Sequence, residues 1–262
     1  MSDNNLREFF SLDEGANDKE YREIAMSAAD SIVSALKTGK MKPKLEDSDR
    51  KDIGDGREVP GETHYAVYDL EKFDARFKDL ELAIGVSDGG IAGGTYARGR
   101  SKKMRISITG TDTNGDYIGS AAGMKKWKSY VSHGIGNFLD RHRDVFVHEF
   151  IHHLDRMRIP TAVWGTEVAR AGRGGESYYN NPVELNAFMQ MGMSKLANKF
   201  KTIKTRKGAE MMVGKTPQDF YKKLEQSMDP KFIKALTPDN KRRLQKRSYQ
   251  LWQDVMAKFT SS

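Results

Sequence analysis

Val147-His148-Glu149-Phe150-Ile151-His152-His153-Leu154-Asp155 is the stretch on which the reading of this chain turns. In a helix, residues four apart stand one above the other, so His148 and His152 project from one face and can hold a single ion together. Glu149, one residue on, lies beside that face, where a carboxylate takes a proton from an activated water instead of binding the metal. The spacing reads as ligand, base, ligand. With six histidines in the chain, meeting this pattern by accident has a probability on the order of 1%. The bland alternative is a buried helix whose histidines bond to neighbouring groups. The flanks weigh against a solvated helix, because Glu149 is the one charge between Val145 and Leu154.

Working outward, Phe138, Val145, Phe146, Phe150, Ile151 and Leu154 supply an apolar stripe that predicts a helix over Asn137–Arg158. A catalytic metal site of this kind takes three protein ligands and leaves one position to water. Glu184 is the expected third ligand. It lies early in a second predicted helix after Asn181-Pro182, with Phe188 and Met191 on its face, and a carboxylate on an apolar face needs a partner. Thr216-Pro217-Gln218-Asp219 repeats the order of cap, proline, any residue and acid, so Glu184 could instead complete a capping box. Glu167 and Glu176 are alternatives on the intervening loop. Asp155, three residues after His152, reads as an orienter of a histidine more than as a ligand. Tyr178 or Tyr179 could donate a hydroxyl to an oxyanion, or could simply pack.

These residues resemble the gluzincin metallopeptidases, in which the two histidines of HExxH and a glutamate from a later helix hold zinc. The ending HEFIHHLD is similar to the group of Mlc titration factor A and the anthrax lethal factor catalytic domain, where leucine and aspartate follow HExxH. The resemblance spans about Leu82–Phe188. It implies His148, His152 and Glu184 as zinc ligands, Glu149 as general base and Tyr178 or Tyr179 as oxyanion donor, although the tyrosine spacing departs from that of these proteins. It also implies an antiparallel edge strand above the active-site helix, at Lys103–Gly110, on which a substrate could add as a further strand. The small, basic, cysteine-free chain further resembles the metallopeptidases of bacteriophage genomes.

The rest of the chain organises around this centre. Tyr21, Ile24, Ala28, Ile32 and Leu36 predict a helix over Asn17–Lys37, and the polar stretch Thr38–Glu62 reads as an exposed linker. His64–Leu70 and Leu82–Val86 read as strands around a short helix, Glu71–Leu80, with Phe73 and Phe77 on one side. The alternation of Met104, Ile106 and Ile108 with Arg105, Ser107 and Thr109 marks a half-buried strand, taken as an edge. Asn181-Pro182, Thr216-Pro217 and Thr237-Pro238 each place a cap before a proline, so the last third is expected to be helical. The glycine-rich segment Asp88–Thr95 fits no nucleotide fingerprint and reads as a connection; Asp112-Thr113-Asn114-Gly115-Asp116 reads as a tight turn more than a calcium loop. His64, His133, His142 and His153 lack paired spacing.

Composition sets the limits. With no cysteine among 262 residues, thiolate ligands and disulfides are excluded, which leaves imidazole and carboxylate. No apolar run approaches the roughly 20 residues of a membrane span, and MSDNNLREFFSLDEG lacks the form of an export signal. A cytoplasmic, or virion-associated, protein is expected. The net charge of +8 suits acidic partners. Lys241, Arg242, Arg243, Lys246 and Arg247, followed by Tyr249 and Trp252, form a basic helical stretch able to meet nucleic acid, or simply a solvated face.

The expectation is therefore an α+β, zincin-like fold in which a small mixed sheet with an antiparallel edge strand packs on the HExxH helix, followed by a mostly helical region. Residues 1–61 would be an N-terminal helix and polar linker, 62–196 the catalytic core, and 197–262 the helical C-terminal region. The expected activity is zinc-dependent hydrolysis of a protein or peptide. The alternatives are a nucleic-acid-binding or virion assembly protein without proteolysis, and an amidase or endopeptidase acting on peptidoglycan.

Overall fold

The computed structural model describes residues 16–47, 51–52, 58–59, 64–74, 77–86, 93–99, 101–110, 130–158, 175–200 and 203–259. The chain is α+β and divides into two compact units, one of Ser27–Phe150 and one of Met1–Met26 with Ile151–Ser262.

The unit Ser27–Phe150 begins inside helix α1 (Ala16–Lys37). The helix is where periodicity places it, but its buried stripe runs through Ala25, Ala28, Ala29, Ile32 and Leu36, while Ile24 is exposed. Among the described residues seven strands follow: β1 (Lys44–Asp47), β2 (Lys51–Asp52), β3 (Glu58–Val59), β4 (His64–Asp69), β5 (Leu80–Val86), β6 (Gly93–Arg98) and β7 (Met104–Gly110). β2 and β3 pair with each other, and the other five form a mixed sheet in the order β1-β4-β5-β7-β6. Its pairs are antiparallel except β5 with β7. Every residue from Leu80 to Gly85 is buried, as a central strand covered on both faces requires. Helix α2 (Ile135–Arg141) and the first half of helix α3 (Arg143–Arg158) complete the unit. Phe77 meets Phe150 of α3 edge to face, with ring centroids 5.7 Å apart.

Four expectations are corrected here. The strand Met104–Gly110 is not an edge: β5 and β6 flank it on either side, so its main chain has no side left for a substrate. Its burial does alternate as expected, with Ile106 and Ile108 buried between half-buried neighbours. Alternation reports which faces are covered, whereas edge position depends on pairing in the plane of the sheet, and the two are independent. The edges of the sheet are β1 and β6, and β6 starts in the glycine-rich segment read as a connection; Asp88–Ala92 of that segment lies outside the described residues. Second, the polar stretch read as a linker contains β1, paired from Lys44 opposite Val67 to Asp47 opposite His64. Charged residues are normal on an edge strand, and Glu46 is held 3.1 Å from Arg105. Third, among the described residues Glu71–Leu80 contains no α-helix. Leu70 accepts hydrogen bonds from Phe73 and Asp74 in one turn, Asp79 takes a left-handed φ of 55°, and Leu80 already accepts from the Leu70 N–H. Fourth, the helix over Asn137–Arg158 is two helices, α2 and α3, divided at His142, whose φ of −105° and ψ of 25° interrupt the spiral.

In the unit of Met1–Met26 and Ile151–Ser262, the second half of α3 is followed by α4 (Gly175–Asn180), α5 (Pro182–Phe200), α6 (Arg206–Val213), α7 (Pro217–Ser227), α8 (Pro230–Ala235) and α9 (Pro238–Ala257). The anticipated caps are in place. Asn181 Oδ1 accepts from Val183 N at 3.0 Å, Thr216 and Asp219 form a reciprocal capping box, and the Thr237 side chain accepts from Asn240 N. Leu185, Met189 and Leu196 of α5 share one core with Phe220 of α7, Phe232 of α8 and Leu251 of α9. The glutamate helix and the C-terminal helices are thus one packed body. Among the described residues no helix is long and apolar enough to cross a membrane.

Candidate metal centre

Every residue of α3 from Phe146 to His153 is buried, polar and apolar alike. Burying His148, Glu149 and His152 with the apolar Val147, Phe150 and Ile151 is costly unless the polar groups find partners. One such partner is Glu184, in the first turn of α5, whose Oε2 lies 3.4 Å from Nε2 of His152. One turn earlier on the same continuous helix stands His148. Among the described residues, His148, His152 and Glu184 each offer a ligand atom within 4.8 Å of the others, a group able to hold a metal ion.

Glu184 and Asp219 hold equivalent positions in their helices. In the capping box of α7, Asp219 turns back and its Oδ2 accepts from the Thr216 N–H at 3.3 Å and from the Thr216 hydroxyl at 2.8 Å. At α5 the equivalent Asn181 N–H reaches the Tyr178 carbonyl at 3.2 Å, and Oε2 of the glutamate lies beside His152. Of the alternatives, Glu176 is exposed in α4 and Glu167 lies outside the described residues, as does the Asp112–Asp116 turn.

Asp155 is buried one turn beyond His152. Asn186 donates to it across the helices, with Nδ2 3.2 Å from Oδ2 and 3.4 Å from Oδ1. Asn186 went unnoticed in the sequence, and its position two residues after Glu184 was the available signal. His153, buried next to His152, has its pKa lowered to about 4 by burial and by the nearby Arg156 cation. It is buried and lies outside the His148-His152-Glu184 group. Tyr178 and Tyr179 sit in α4 and pack around Phe188, at centroid distances of 6.1 and 5.2 Å, and Tyr179 also meets Phe232 at 5.8 Å.

A second residue missed in the sequence is Gly94 of β6. A Cβ at this position would lie 2.6 Å from Glu149 Oε1, 2.7 Å from Glu149 Cγ and 2.7 Å from Val145 Cγ1. The edge strand therefore approaches Glu149 so closely that glycine alone fits. Gly94→Ala is expected to displace the Glu149 carboxylate; if Glu149 is the general base expected from the sequence, hydrolysis falls by about 10²-fold, the cost of misplacing a reacting group by an ångström. Metal content should be unchanged, because the atoms nearest the added methyl group belong to Glu149 and Val145. Steady-state kinetics beside metal analysis checks this, and an unimpaired Gly94→Ala would separate the strand from the chemistry.

Comparison with models of known protein families, with curated proteins and with solved structures finds no match among them.

Proposed function

We propose that this chain is a zinc-dependent hydrolase of the gluzincin kind, with a zincin-like core, that cleaves peptide bonds. The observation that supports it is the buried His148-His152-Glu184 group with Glu149 beside it. Two imidazoles and one carboxylate are a donor set of catalytic zinc. Two ligands about 2.0–2.1 Å from one zinc at the tetrahedral angle stand about 3.3 Å apart, close to the 3.4 Å between His152 and Glu184. Bound zinc supplies a Lewis acid that polarises a carbonyl and lowers the pKa of water.

The protein's own residues do the rest. Glu149 takes the proton from the attacking water and passes it to the leaving amine. Strand β6, the sheet edge against which Glu149 packs, offers main-chain donors and acceptors to an extended peptide, so that the substrate adds as a strand and its carbonyl is oriented. Tyr178 or Tyr179 supplies a hydroxyl to the developing oxyanion, and Tyr178→Phe and Tyr179→Phe distinguish them by which one lowers turnover. The test is metal content together with cleavage of a denatured-protein mixture. One zinc per chain, and cleavage abolished by a chelator and restored by zinc, supports the reading; a chain that binds no zinc overturns it. The same chemistry serves the amides of peptidoglycan, which a parallel assay on that polymer addresses.

A second reading is favoured by charge. Residues 197–262 hold sixteen Lys and Arg against six Asp and Glu, a net +10, so the preceding residues are net negative. On α9, Arg242, Lys246 and Tyr249 share an exposed face, and the Tyr249 ring stacks with Trp252 at 6.2 Å. A nucleic-acid-binding role requires retention on DNA or RNA that weakens steeply with salt. Absence of salt-sensitive retention leaves the face as a solvated one.

A further inference from the structure

Asp155, Asn186 and Arg247 come from three helices, α3, α5 and α9, and all three are buried. Arg247 Nη1 donates to Asn186 Oδ1 at 3.3 Å and lies 3.3 Å from Met189 Sδ. Asn186 Nδ2 in turn donates to the Asp155 carboxylate. The order of this chain of bonds is imposed by chemistry. The two ends of an amide have nearly the same shape, but a guanidinium only donates, so Asn186 must present its oxygen to Arg247 and its NH2 to Asp155. A cation on the C-terminal helix therefore decides how Asn186 meets Asp155.

The placement of these residues gives the chain of bonds its role. Asp155 is three residues beyond the ligand His152, and Asn186 two beyond the ligand Glu184. The bonds tie together the two helices that carry the ligands, next to where the ligands emerge. Stability does not account for them, because apolar side chains of similar volume serve a core as well as, or better than, buried charges. Fixed helix register does account for them, because three ligands converge on one ion only while the helices hold their relative positions.

We infer that Arg247 is a positioning residue of the metal centre, acting through Asn186 on Asp155 of the helix that bears His148 and His152. This rests on the reading of His148, His152 and Glu184 as metal ligands. It makes the C-terminal helix part of the metal site, with no contact to the metal.

The test uses the full chain, stripped of metal and titrated with zinc against a chelator of known affinity, and separately with Co2+ to record its visible absorption. Arg247→Met and Asn186→Leu are each expected to weaken zinc binding about 10- to 100-fold, as loss of an outer partner does. The double variant should be no weaker than either single one, because both changes break the same chain of bonds. The Co2+ spectrum should shift in each, reporting altered ligand geometry. Gln245→Ala, exposed on the same helix, should match the unmodified protein. Arg247→Lys, which keeps the charge and one donor, should fall between the unmodified protein and Arg247→Met, and it carries the test if Arg247→Met fails to fold. The inference is overturned if the arginine variants bind zinc as tightly as the unmodified protein with the same Co2+ spectrum, or if the Arg247 and Asn186 losses multiply. If the unmodified protein itself binds no zinc, the metal reading falls and takes the inference with it.

Discussion

Glu149→Gln is expected to keep one zinc per chain and to lower peptide hydrolysis about 10²- to 10⁴-fold, the range that a positioned general base contributes. Glutamine has the same shape, so the tight packing of this side chain beneath Gly94 and beside Val145 survives the change. What is lost is the group that accepts a proton. Because Glu149 is buried, the replacement amide has little solvent through which water could take over that role. Metal analysis and turnover on one preparation test the point. Loss of activity with retained zinc assigns the base; full activity in Glu149→Gln would remove Glu149 from the mechanism, and loss of the metal would make it a ligand.

Glu184→Ala is expected to have the second large effect, on the metal itself. Removing a ligand should cost more than the 10- to 100-fold that loss of an outer partner costs. Bound ligand stabilises a native state by about 2.7 kcal/mol when present at a hundred times its dissociation constant. Zinc should therefore raise the melting temperature of the unmodified protein by several degrees and leave that of Glu184→Ala nearly unchanged. The same experiment separates a ligand from a helix cap. A cap acts on the metal-free protein, where its loss costs roughly 1 kcal/mol, and Asn181 remains to cap α5 in this variant. A lower metal-free melting temperature with undiminished zinc binding would return Glu184 to the capping role.

The parts of this protein that could be read directly are those whose physics is local. His148 and His152 stand four residues apart, and the period of the helix alone brings them to one face. Capping is equally local, because the side chains of Asn181, Thr216 and Thr237 bond to main-chain groups two or three residues on. The helical C-terminal region was legible for that reason. The failures were of another kind. Glu71–Leu80 has apolar residues at helical spacing, yet Leu70 pairs with Leu80 and accepts from Phe73 and Asp74 in a turn. The Lys44–Asp47 strand has almost no apolar content, and it forms because β4 offers it an open edge.

The sequence by itself determined that a helix would present His148, Glu149 and His152 together, without a thiolate to compete, on a surface too apolar for solvent. Only the tertiary structure decided which carboxylate joins them. Asn181-Pro182-Val183-Glu184 and Thr216-Pro217-Gln218-Asp219 follow one local rule, but His152 lies across from the first acid, and the second accepts from the Thr216 N–H. Tertiary structure likewise made β6 an edge, brought Gly94 against Glu149, and joined Arg247 through Asn186 to Asp155. The physical reason is one of range. Helix period and caps are set by neighbours within a turn, whereas sheet order and the meeting of side chains from separate helices are set by packing among residues far apart in the chain.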